Sequence, residues 1–271
     1  MATIRRFPLE AEAVAKSWRD HAETTDPWRP TGNPGAAGGQ AQGYYVTSGP
    51  VNAFAKPSQR DPSVPRAAHE KIAADLAFDL GLPLPPAILH RWGDPPPVGT
   101  ERFVALSLFP FLSVFMWRQV MAIPGLETQL KLELREPASA LVPFDTWVDN
   151  TDRVNDGNLL VSKATADPAL PLQVAYIDYS YSMAHGWRIG NYRTVTPIPI
   201  YPTDQKDAEI VSMEDALTRI EDLPDQNIRD VVSRIADDFL TIGDRDLIID
   251  GLLYRKPQVR ASLKAIYGGI T

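Results

Sequence analysis

Residues 149–161 restrict the fold more than any other stretch. A run of polar turn formers, Asp149-Asn150-Thr151-Asp152-Arg153-Val154-Asn155-Asp156-Gly157-Asn158, passes directly into Leu159-Leu160-Val161, and a second apolar triplet, Ala175-Tyr176-Ile177, ends on Asp178. Asn, Asp and Gly favour tight-loop geometry, and short apolar runs bounded by them read as buried strands. Paired as a hairpin, the two strands bring together the loop before the first and the carboxylate after the second. A helix predicted over 138–149, with Leu141, Val142, Trp147 and Val148 as its apolar positions, delivers the chain into the loop.

Composition narrows the chemistry. With 271 residues and 44% apolar side chains, the chain buries a substantial core, enough for one bilobal domain or two small ones. The absence of cysteine excludes disulfides, zinc thiolates, iron–sulfur clusters and thiol nucleophiles. His21, His69, His90 and His185 include no pair at the spacing of a helical metal site, so any metal is a hard cation held by oxygen. A net charge of −7 argues against nucleic acid as a partner. Arg5 and Arg6 have no apolar run behind them, which does not fit a secretory signal. The longest apolar window, Phe103 to Trp117, contains Pro110 and falls short of the roughly 18 residues of a membrane span. The expectation is a soluble, cytoplasmic protein.

The order of predicted elements gives the fold class. A short helix over 9–21 precedes a loop-like segment over 26–43 with five glycines. Tyr44-Tyr45-Val46 and Ala53-Phe54-Ala55-Lys56 read as antiparallel strands joined at Ser48-Gly49-Pro50. A helix follows over 66–80, with Ile72, Leu76 and Leu80 on its apolar face and Lys71, Asp75 and Asp79 opposite, and it stops at Gly81. Arg102 to Leu108 reads as a strand. Helices are predicted over 126–136 and 138–149, then a loop-rich stretch to about 206, then helices over 213–221, 225–240 and 244–265. Strands first and helices after predict an α+β protein of two lobes, 1–108 and 109–271.

Phosphoryl transfer from ATP requires a cation on the phosphate oxygens, Mg²⁺ held by an acid and an amide, and a carboxylate facing the attacking hydroxyl. The chain offers these groups in order. Lys56 ends the second early strand, where it either enters a cleft and meets the phosphates or is a solvated lysine before Pro57. Glu70, at the margin of the apolar stripe, either pairs with Lys56 or serves as ordinary first-turn charge. Asp152 is the candidate base, and Asn158, six residues on, a candidate Mg²⁺ ligand. The same run also suits a plain turn, or a calcium loop lacking its closing glutamate. Asp178, 20 residues after Asn158, is the second candidate ligand. Arg153 is either an ion-pair partner or a phosphate contact, and Ser180 and Ser182 are either phosphorylation sites or plain loop hydroxyls.

Together these motifs resemble the HipA-like kinases, a bacterial branch of the protein-kinase-like superfamily close in motif style to phosphatidylinositol kinases. The resemblance rests on Asn150-Thr151-Asp152-Arg153 with Asn158-Leu159-Leu160-Val161, on Tyr176-Ile177-Asp178, on Lys56, and on His69-Glu70 leading to Leu80-Gly81-Leu82-Pro83-Leu84-Pro85. It spans about residues 36 to 265 and implies a bilobal protein-kinase-like fold using ATP and Mg²⁺. It also implies Ala105-Leu106-Ser107-Leu108 as the adenine-contacting hinge, with Ser107 and Leu108 as cofactor contacts, and Gly38 and Gly39 on the phosphates. Protein kinases of the common type carry His-Arg-Asp and Asp-Phe-Gly where this chain has Asn-Thr-Asp and Asp-Tyr-Ser. The N-terminal stretch reads as too short for the additional subdomain of full-length HipA toxins, so the resemblance is not expected to extend to a toxin role or an antitoxin partner. The expected activity is phosphotransfer to an unidentified hydroxyl acceptor, foremost protein Ser or Thr. The alternatives are a nucleotide-binding pseudokinase, an AMP transferase using the same pocket, and a structural protein without nucleotide.

Overall fold

The computed structural model describes residues 27–31, 43–49, 51–58, 65–109, 113–167, 169–187 and 191–271. The helix expected over 9–21 and most of the glycine-rich segment lie outside them. Two strands, β2 (Tyr44–Ser48) and β3 (Val51–Pro57), form the expected hairpin, turning at Gly49 with φ 57°. Three further strands complete an antiparallel sheet in the order β1-β2-β3-β5-β4: β1 (Arg29–Thr31), β4 (Ala87–Arg91) and β5 (Phe103–Leu108). Neither β1 nor β4 is expected from the sequence, because prolines dominate their flanks. The alternation along β3 divides its side chains: Phe54 and Lys56 share one face, while Ala53 and Ala55 join Trp28, Tyr44, Ile88 and Trp92 in a small core on the other.

The Lys56 face is covered by α1 (Arg66–Leu80). It ends as expected at Gly81, whose φ of 68° suits glycine and whose backbone satisfies the last carbonyls. The predicted polar face is a correction. Lys71 and Asp75 are buried and paired at 2.9 Å, because α6 (Asp225–Ser233) packs over them. Five buried alanines, Ala67, Ala68, Ala73, Ala74 and Ala77, let neighbours approach α1 on all sides.

After β5 come β6 (Phe115–Met116) and α2 (Trp117–Met121), then α3 (Leu126–Val148). The two helices expected over 126–149 are one, running through Pro137 and Pro143. A proline inside a helix costs about 3 kcal/mol, and here burial of Leu130, Leu134, Ala138, Leu141, Phe144 and Trp147 offsets it. A second sheet, β6-β7-β8, contains the expected hairpin of β7 (Leu159–Val161) and β8 (Val174–Tyr176). One turn, α4 (Ala184–Trp187), interrupts the loop-rich stretch. The chain closes with α5 (Ile210–Asp222), α6, α7 (Ile242–Arg255) and α8 (Val259–Lys264). The helix expected to reach 240 stops at Ser233, and the one expected over 244–265 breaks at Pro257, which cannot donate the next helical bond. No described helix is long and apolar enough to cross a membrane.

Candidate active site

Lys56 settles the first open choice. It is 4% exposed, and its ammonium lies 2.7 Å from Glu70 Oε1 and 3.3 Å from Asp178 Oδ1. Burial alone would depress the ammonium, but Asp178 and Glu70 outweigh it and hold Lys56 above its ordinary value. Glu70 is not first-turn surface charge. Its Oε1 also accepts from the Tyr179 amide at 3.0 Å and the Ser180 hydroxyl at 2.9 Å. Burial pushes its carboxyl above the usual range despite Lys56, whereas at Asp178 Lys56 and the Ser180 bonds overcome burial and hold the carboxyl at about 2.

The hairpin brings the remaining candidates to the same end. Ile177 N donates to Asn158 O at 3.0 Å, so Asn158 and Asp178 leave their strands side by side. The Asn158 amide donates to Asp152 O at 2.9 Å and to Asp152 Oδ2 at 3.0 Å. This orients the Asp152 carboxylate and leaves Asn158 Oδ1 without a hydrogen bond among the described residues. Asp178 has φ 69°, a left-handed conformation that costs a non-glycine residue roughly 1–2 kcal/mol and is held by its surroundings.

Arg153 is a structural ion-pair partner and points inward. Its guanidinium grips Asp145 at 2.5 and 3.2 Å and donates to Asn158 O at 3.1 Å and Ile177 O at 3.2 Å, between the Tyr176 and Tyr179 rings. One side chain thereby ties the end of α3 to the Asp152 loop and to the strand leading to Asp178. Buried Arg255 fixes the start of the loop. It donates to Trp147 O at 2.8 Å and Thr146 O at 2.5 Å and pairs with Asp149 at 3.2 Å, where the chain turns out of α3 with φ 60°. Asp145 and Arg255 escape sequence reasoning, because their separations of 8 residues from Arg153 and 106 from Asp149 follow no motif. Ser180 and Ser182 are buried, their hydroxyls donating to Glu70 Oε1 and Tyr179 O.

Gly38 and Gly39 lie outside the described residues. Ser107 and Leu108 sit inside β5, bonded into the sheet on both sides, and the Phe109 amide donates to Asn52 O. Ser107 pairs across the strands with Phe54 and Ala87, so its side chain shares the Lys56 face. On that face Tyr45 meets the rings of Phe54 and Phe109 edge-on at 5.4 and 5.8 Å. A cavity of about 450 Å³ opens beside them, lined by Tyr45, Asn52, Phe109, Met116 and Gln119 among others. Gly43 makes room for this cluster, since a Cβ there would fall 2.3 Å from the Phe54 ring.

Among the described residues no three His, Cys, Asp or Glu side chains form a metal cage of their own. Asn158 and Asp178 instead offer an amide and a carboxylate oxygen. That sparse set suits Mg²⁺, which completes its shell with phosphate oxygens and water.

No protein-family model and no curated protein matches the chain. Among solved structures, the Helicobacter pylori proinflammatory kinase CtkA superposes with a TM-score of 0.62 at 14% identity, over 93% of this chain and 99% of that one. The strand-rich and helix-rich halves are thus arranged as in a kinase, and the chain has a bilobal α+β kinase-like fold.

Proposed function

We propose that this chain is an ATP- and Mg²⁺-dependent phosphotransferase of HipA-like type, acting on a hydroxyl acceptor, foremost a protein serine or threonine. The lobes meet near residue 108. The observation that carries the reading is the convergence of Lys56, Glu70 and Asp178 in one buried set, with Asp152 and Asn158 at the adjoining end of the β7-β8 hairpin. The base lies against Tyr45 and Phe109, and Lys56, fixed by Glu70, faces the phosphates. Asp152, oriented by the Asn158 amide, accepts the acceptor's proton. Asn158 Oδ1 and Asp178 would hold Mg²⁺, which would supply positive charge to offset that of the transferring phosphoryl group.

The test is phosphate transfer from labelled ATP to a panel of protein and small-molecule acceptors. Asp152→Asn is expected to lose about 10²-fold to 10⁴-fold in rate, the range for a missing general base, while retaining nucleotide binding. Transfer at the parental rate removes Asp152 from the role. The contact of Lys56 with Asp178 favours a second reading, since an entering nucleotide must share or displace it. A protein that binds without turnover would melt higher with Mg-ATP and yield no labelled product. Transfer of AMP would appear as an adenylylated product by mass spectrometry.

A further inference from the structure

Asp178-Tyr179-Ser180 places a hydroxyl at its third position, and the structure gives it a defined partner. The Ser180 hydroxyl donates to Glu70 Oε1 at 2.9 Å, its amide to Asp178 Oδ1 at 3.4 Å, and its carbonyl lies 3.1 Å from His69 Nδ1. Both Ser180 and His69 are buried, at 3% and 0% exposure. Adjacent residues of α1 therefore hold Ser180 through its hydroxyl and its carbonyl, and Ser180 in turn holds the Asp178 carboxylate. One turn earlier on α1, Arg66 donates to Tyr181 OH at 3.0 Å. A glycine at position 180 would keep the amide and carbonyl contacts but leave the 178–182 turn without the hydroxyl that reaches Glu70.

We infer that Ser180 is a positioning residue: its hydroxyl locks α1 to the 178–182 turn, so that Lys56, Glu70 and Asp178 stand assembled before any ligand or modification arrives. Because Glu70 Oε1 takes bonds from Lys56, Tyr179 and Ser180 together, α1 cannot swing outward without breaking all three. The catalytic part of this inference rests on the phosphotransferase reading; the lock itself does not.

Two measurements separate them. In the unliganded protein, Ser180→Ala is expected to speed amide exchange at Tyr179 and in the first turns of α1 by about tenfold, the factor for one charge-assisted hydrogen bond, with α7 unchanged. Ser182→Ala removes an equally buried neighbouring hydroxyl that does not touch Glu70, and it should leave α1 at the parental rate. Unaltered exchange in Ser180→Ala, or equal acceleration by both variants, overturns the lock. In the transfer assay, Ser180→Ala should raise the Mg²⁺ concentration for half-maximal rate by a similar factor. An Mg²⁺ requirement equal to the parent's overturns the positioning role. Failure of the parental protein itself to bind Mg-ATP refutes the phosphotransferase reading and the catalytic role with it, and the exchange result still decides the lock.

Discussion

Replacing Arg153 with methionine tests whether this residue is an internal tie. The guanidinium is 2% exposed and its partner Asp145 1%. Arg153→Met would leave the Asp145 carboxylate buried without a cationic partner, beside the Asn150 amide at 3.3 Å and the Tyr179 hydroxyl. Stranding one member of a buried pair costs about 3–5 kcal/mol. The Ile177 carbonyl also loses its donor, adding about 1 kcal/mol, whereas Asn158 O keeps the Ile177 amide. The expected loss is therefore about 4–6 kcal/mol in urea denaturation followed by tryptophan fluorescence. At roughly 2 °C per kcal/mol for a chain of this length, the melting point should fall by about 8–12 °C. The double variant Arg153→Met/Asp145→Leu removes the stranded charge and should recover at least about 2 kcal/mol of that loss. A single variant costing under about 1 kcal/mol, or a double variant as damaged as the single, would refute the reasoning and return Arg153 to the surface chemistry of phosphate binding.

Acid should act through Asp178, whose carboxyl is held at about 2 against an ordinary 3.8. A depressed acid contributes stability above its unfolded value and loses it as pH falls from about 4 to 2. The amount is about 1–2 kcal/mol once its 30% exposure is allowed for. Asp178→Asn should flatten that limb of the stability curve, and an equal slope in parent and variant would assign the limb to other carboxylates. Tyr45→Ala should weaken Mg-ATP binding in calorimetry by about 1–3 kcal/mol, or roughly 5-fold to 150-fold in Kd, by removing a stacking surface. An unchanged Kd would place the base elsewhere.

Much of this site was legible because its residues lie beside strong local signals. Asp152 and Asn158 sit in a run of turn formers, Asp178 ends an apolar triplet, and the β7-β8 pairing that joins them follows from short apolar runs at close spacing. Gly81 marked the end of α1 for an equally local reason. What stayed hidden depends on packing between distant segments. Nothing in the sequence near Lys71 and Asp75 announces α6, more than 150 residues on, so a buried ion pair read as a solvated face. The separate helices expected over 126–136 and 138–149 are one, because tertiary burial along α3 outweighs the proline between them. Nor does the sequence show that Ala105 to Leu108, the hinge implied by resemblance, is bonded to neighbours on both edges, because β4 is hidden among prolines.

The enclosure of α1 bears on how the molecule comes apart. The helix lies between the first sheet and α6, Arg219 reaches its last carbonyl at Leu80, Phe103 of β5 packs on Phe239, and Arg91 of β4 pairs with Asp238. With so many cross-links between early and late sequence, neither half retains a finished interior once the other melts. Calorimetry should record one cooperative endotherm, and a fragment cut after residue 108 should present an alanine-lined helix to water and precipitate.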